Sequence, residues 1–91
     1  MMIETKSSCL KRLSRIEGQV RGIARMVEED RYCIDVVTQV SAVRAALAKV
    51  EDEIIKDHVG HCVEHAILSG DPDKQRAKVT ELVDALSRMG R

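Results

Sequence analysis

From about Tyr32 to Leu68 the chain contains no proline, and Gly60 is its one glycine. Inside this stretch Val36, Val40, Val43, Leu47, Val50 and Ile54 recur at alternating spacings of four and three, a heptad seam on one side of a helix. At about 1.5 Å per residue, a helix of that length reaches roughly 55 Å. A chain of 91 residues cannot cover such a seam from within. The seam therefore needs a partner helix, most simply the same helix of a second protomer running antiparallel. Composition points the same way. Apolar residues make up 44% of the chain, but Trp and Phe are absent and Tyr occurs once. A core of Ala, Val, Ile and Leu buries little area per residue, so oligomerisation is expected to complete it.

Two shorter helices flank the long one. Leu10, Leu13, Ile16, Val20, Ile23 and Val27 follow helical spacing and predict a helix over about 7–29, with Ser7 or Ser8 as its N-cap. Gly18 and Gly22 fall on one face of it, where another helix backbone is expected to come close. Ser69-Gly70-Asp71-Pro72-Asp73 is the one clear break: Gly70 suits a left-handed cap, and Pro72 cannot continue the preceding helix. A third helix is predicted over about 73–89, with Ala77, Val79, Leu82, Val83, Leu86 and Met89 as its apolar face. One Pro and five Gly argue against an all-β design. The expected fold is an all-α, three-helix subunit, a single domain over 1–91 with helices at about 7–29, 32–68 and 73–89. Its antiparallel dimer would form a four-helix bundle.

Several function classes fall away. No apolar run approaches the roughly 18 residues that a membrane span needs, and the N-terminus lacks the apolar stretch of a signal peptide. A cytoplasmic location is expected, where thiols stay reduced. The three cysteines then read as ligands, reactive thiols or packing residues rather than a disulfide framework. Phosphate-binding glycine loops are absent, and a narrow helical subunit offers little concavity. Neither an enzyme nor a binder of a small organic substrate is expected.

Fifteen basic and fifteen acidic side chains cancel over the whole chain, but not along it. Residues 1–26 carry six basic and two acidic side chains, whereas residues 27–60 carry four and eight. A basic face for nucleic acid is compatible with that polarity, as is a merely solvated helix surface.

All three histidines fall between His58 and His65, around Cys62. His58 and Cys62 are one turn apart, as are His61 and His65, which is the helical half of a metal site or else a solvated helix end. Cys33 stands at the start of the same long helix, roughly 38 Å from His58 along it. The two cannot share a ligand within one chain. In an antiparallel pair, Cys33 of one protomer could meet His58 and Cys62 of its mate, and two-fold symmetry would repeat the site. Two thiolates and one imidazole favour a soft ion such as Cu(I), and Zn(II) is disfavoured for want of a fourth ligand. Cys9 reads as a packing residue more readily than as a ligand. The roles of His61 and His65 stay open.

Four stretches carry a specific resemblance: Arg12-Leu13-Ser14-Arg15-Ile16-Glu17-Gly18-Gln19-Val20-Arg21-Gly22-Ile23, Tyr32-Cys33-Ile34-Asp35-Val36, Gln39 to Leu47, and Asp57 to Val63. From about Lys11 to Leu86 the chain resembles the CsoR/RcnR/FrmR family of bacterial repressors, and its Cys-x24-His-x3-Cys spacing resembles the copper-sensing branch. The resemblance implies a disc-shaped homotetramer, a dimer of antiparallel dimers, that binds operator DNA and releases it on Cu(I) binding. It implies Cys33, His58 and Cys62 as metal ligands, with Tyr32 and Glu81 coupling the site to neighbouring helices. It places the DNA surface on the first helix and the middle of the second, where this chain offers Lys11, Arg12, Arg15, Arg44 and Lys49. A sister branch that senses persulfides is similar but relies on two cysteines alone, for which Cys33 and Cys62 would suffice.

Overall fold

The computed structural model describes residues 1–90. Helix α1 spans Ile3–Glu28 and α2 spans Cys33–His58. A π-helical turn, Val59–Val63, follows α2 directly and leads into α3, Glu64–Leu68, and α4 covers Pro72–Arg88. The chain forms two compact units, Met1–Ile55 and a second that begins at Lys56. No helix among the described residues is long and apolar enough to cross a membrane.

The first unit is an antiparallel hairpin of α1 against α2. Its turn rests on Asp30, which takes the left-handed conformation usually left to glycine (φ 54°). The Arg31 N–H donates back to the Met26 carbonyl at 3.0 Å, closing the end of α1. Cys9 and Ile16 of α1 are buried against Val43 and Val50 of α2, with Ile23 and Ala46 packed beside them. In each helix these positions recur every seven residues, so one heptad column per helix is turned inward. The second column of each helix is not. Leu13, Val20 and Val27 on α1, and Val40, Leu47 and Ile54 on α2, remain between 37% and 60% exposed. The apolar seam expected for an intersubunit contact is thus divided, with Val43 and Val50 committed to α1 and the alternate positions left open.

Three expectations are corrected here. Helix α1 begins at Ile3, one turn before Ser7, and its N-cap Met2 offers no side-chain hydrogen bond. Among the described residues of one protomer, nothing lies within 4 Å of a Cβ built on Gly18 or Gly22, so the close approach expected there is not made within the subunit. The long helix expected over 32–68 is interrupted by the π turn at Val59–Val63.

The second unit is packed more lightly. Ala66 is its one buried residue among those described. Ser69 Oγ donates to the Ala66 carbonyl at 2.6 Å, and Gly70 turns the chain at φ 70°. Asp71 caps α4, its carboxylate accepting from the Asp73 N–H at 2.9 Å and the Lys74 N–H at 3.5 Å, with Pro72 in the first turn. Gln75 Nε2 donates to the Ile67 carbonyl at 3.2 Å and ties α4 back to α3. The covered side of α4 is Gln75, Lys78, Leu82, Ala85 and Met89. Of the predicted apolar face only Leu82 and Met89 belong to it, whereas Ala77, Val79, Val83 and Leu86 are exposed.

Candidate metal centre and nucleic-acid interface

Cys33 and His58 are the first and last residues of α2. Tyr32 starts the helix through its backbone: its carbonyl accepts from the Asp35 N–H at 3.0 Å and the Val36 N–H at 3.2 Å, while its side chain is exposed. Cys33 and Cys62 are both free, exposed thiols. Cys62 lies inside the π turn, and His58 stands at its entrance. A π turn holds an additional residue relative to an α turn, which carries residue i+4 closer to a position directly above residue i. His58 and Cys62, four residues apart, thus stand about one turn apart along the chain. Such turns occur mostly as single interruptions within α-helices, frequently at functional sites.

The imidazole of His58 is oriented from α4. Its Nε2 lies 3.0 Å from Glu81 Oε1, and Lys78 Nζ lies 3.5 Å from Glu81 Oε2. A carboxylate only accepts, so Nε2 carries a proton toward Glu81, and Nδ1 is the ring nitrogen left to face a ligand. Glu81 was expected beside the site, and the structure places it against His58. His61 is half-exposed, with Nε2 3.8 Å from Asp57 Oδ1, and His65 is exposed. Among the described residues of one chain, no three His, Cys, Asp or Glu side chains are gathered so as to hold a metal ion.

The five basic residues expected on a DNA surface divide in two. Lys11, Arg15, Arg44 and Lys49 are exposed. Arg12 is held across the hairpin, its Nε donating to Glu53 Oε1 at 2.8 Å. Ser8 Oγ donates to the same oxygen at 3.0 Å, and Cys9 Sγ donates to Oε2 at 3.5 Å. The Ser8 hydrogen bond first, and Arg12 after it, hold the Glu53 carboxyl below its ordinary value of 4.5. Sequence reasoning missed Glu53. The signal was available, because Arg12 follows Cys9 by three residues and Glu53 follows Val50 by three, next to each other's inward columns. Cys9, read as a packing residue, is buried at 5% exposure.

The family of metal-sensitive transcriptional repressors matches residues 5–88. The copper-sensing transcriptional repressor RicR of Mycobacterium tuberculosis (strain H37Rv) is 49% identical over 88 residues, covering 97% of this chain and 91% of that protein. The copper-sensing transcriptional repressor CsoR of Bacillus subtilis (strain 168) is 48% identical over 83 residues, covering 91% of this chain and 79% of its own. In three dimensions, the crystal structure of the copper-sensing repressor CsoR with Cu(I) from Geobacillus thermodenitrificans NG80-2 superposes with a TM-score of 0.88. It is 41% identical, covering 100% of this chain and 92% of that one.

Proposed function

The chain belongs to the family of metal-sensitive transcriptional repressors, and on that premise we propose that it represses transcription in its metal-free form and releases DNA when Cu(I) binds. The observation that carries the choice of signal is the π turn with His58 at its entrance and Cys62 within it, the ring nitrogen Nε2 committed to Glu81. That arrangement leaves Nδ1 and a thiol one turn apart. Two thiolates and an imidazole form a donor set for a soft monovalent ion. The relatives named for copper sensing support the same signal.

Cys33, at the other end of α2, supplies the third ligand from a second protomer. The open columns on α1 and α2 support that assembly: Leu13, Val20, Val27, Val40, Leu47 and Ile54 form an apolar face that an antiparallel copy would cover. The result is a four-helix bundle with a ligand site at each end, and two such dimers form the tetramer. Each 91-residue subunit acts as one DNA-binding and sensor domain in the cytoplasm, where both thiols stay reduced. Lys11, Arg12, Arg15, Arg44 and Lys49 contact DNA phosphates, which fix position and make binding steeply dependent on salt. Tyr32, next to Cys33, and Glu81, against His58, transmit occupancy of the site. Coupling works by linkage: Cu(I) favours the conformer that binds DNA poorly.

An anaerobic titration of the reduced protein with Cu(I), against a competing chelator, tests this reading. One tight equivalent per protomer is expected, lost in Cys33→Ala. His58→Ala is expected to keep its DNA affinity and lose the response to Cu(I). Failure of the wild-type protein to compete for the ion would remove copper as the signal and leave the exposed pair Cys33 and Cys62 to sulfur chemistry.

A further inference from the structure

We propose that Glu53 is an internal anion that occupies Arg12 in the DNA-free protein, and that a backbone phosphate of duplex DNA displaces it on binding. The inference rests on the reading of Arg12 as a phosphate contact. It names a device that restrains that contact.

Glu53 and Arg12 face each other across the α1–α2 hairpin, with the carboxylate accepting from Nε at 2.8 Å. The side chains are 37% and 27% exposed for Arg12 and Glu53, so the pair lies at the protein surface rather than in the core. Ion pairs this open to water do little to hold a fold together. The contact uses Nε, one of the five N–H donors of the guanidinium, which leaves most of its capacity for a phosphate.

The carboxylate is also prepared for the loss of Arg12. Ser8 Oγ donates to Oε1, and Cys9 Sγ donates to Oε2. Each oxygen therefore keeps a donor from α1 when the guanidinium turns away. No orphaned acceptor is created, and the exchange of carboxylate for phosphate is inexpensive on the protein side. The charge of Glu53 remains in place, however, one side chain away from an incoming phosphate. Affinity for duplex DNA grows with the number of cations that neutralise phosphates and release counterions. A carboxylate fixed beside Arg12 subtracts from that number and acts as a brake.

The test uses the full-length, metal-free protein and a fluorescein-labelled random-sequence duplex, titrated at several salt concentrations. Glu53→Gln keeps the shape and the acceptor oxygen and removes the charge. It is expected to bind several-fold more tightly, with the slope of log K against log salt steeper by about 0.9 for each Arg12 engaged. Arg12→Ala is expected to weaken binding, and in the Arg12→Ala background Glu53→Gln is expected to change nothing. Anaerobic Cu(I) binding should be the same in Glu53→Gln as in wild type, which guards against a misfolded variant. If Arg12→Ala weakens binding while Glu53→Gln leaves affinity and slope unchanged or lowers them, the brake is refuted and the Arg12 contact stands. If Arg12→Ala leaves binding as it was, the phosphate contact itself is wrong and the proposal falls with it.

Discussion

Ile16 and Val50 are each 6% exposed in the α1–α2 hairpin, whereas from Lys56 onward Ala66 alone is buried to that degree among the described residues. The hairpin is held by an apolar column from each helix, reinforced by Glu53. The second unit is held by polar devices: the Asp71 cap, the Gln75 bond to the Ile67 carbonyl and the Glu81 contact to His58. The difference assigns tasks. The basic residues proposed to contact DNA phosphates stand on the better-packed unit. Two of the three proposed ligands stand where few buried contacts resist a rearrangement, and segments that move on ligand binding come from that end of the stability range.

The largest effect is expected from breaking the hairpin column. Ile16→Ala should destabilise the protein by about 2–5 kcal/mol, because the lost side chain leaves a cavity between two helices. Urea denaturation at a fixed protomer concentration measures it, since association contributes to apparent stability. A loss below about 1 kcal/mol would place the stabilising core elsewhere and erase the contrast between the units. In the second unit the most sensitive point is the cap. Asp71→Ala should destabilise by about 1 kcal/mol, since it removes the acceptor for two N–H groups at the start of α4. Hydrogen exchange sharpens the comparison: amides of α4 should exchange faster in this variant, while those around Ile16 and Val50 keep their wild-type protection.

Much of this organisation was legible in the sequence. The helical course of α2 and the break at Gly70 follow from periodicity and turn chemistry, and the structure carries both. What periodicity could not supply is which neighbour each apolar position meets. Val43 and Val40 belong to the same seam, yet one is buried against Ile16 and the other is open. The π turn was illegible for a related reason, because every residue from His58 to Val63 is compatible with an ordinary helix and the extra residue shows only in backbone hydrogen bonds. Asp30 was missed because its left-handed conformation is one that glycine usually supplies. On α4, Val79 and Val83 suggested an apolar face, but within one protomer the covered side runs through Gln75, Lys78, Leu82 and Ala85, and those valines are exposed.

A smaller effect on stability is expected at the contact between Glu81 and His58. Glu81→Gln should change stability by less than about 1 kcal/mol, because Glu81 is half-exposed and pairs of that kind contribute little. The same variant should weaken the release of DNA by Cu(I), read by anisotropy of a labelled duplex with and without the ion. A protein that responds to Cu(I) as wild type does after this substitution would show that α4 plays no part in the coupling.

The smallest effect belongs to the acid limb of the hairpin, and its sign is fixed by Glu53. Ser8 and Arg12 hold the folded carboxyl below the 4.5 of an unconstrained side chain. In the unfolded chain Glu53 takes up its proton at the ordinary value, so between the two values the unfolded state binds more protons. Stability therefore rises with pH across that window. The contribution is complete above about pH 5 and is lost as the pH falls through the lowered folded value. Glu53→Gln has no proton to bind, so its stability should decline less steeply below pH 5 than that of wild type. Its midpoint at pH 7 should lie slightly lower. Because the pair is partly exposed, the difference between the two acid limbs should also shrink in 1 M salt, where the Debye length is about 3 Å. Superimposable acid limbs at low salt would mean that Glu53 does not tie α1 to α2 in solution, and the hairpin would then rest on its apolar column alone.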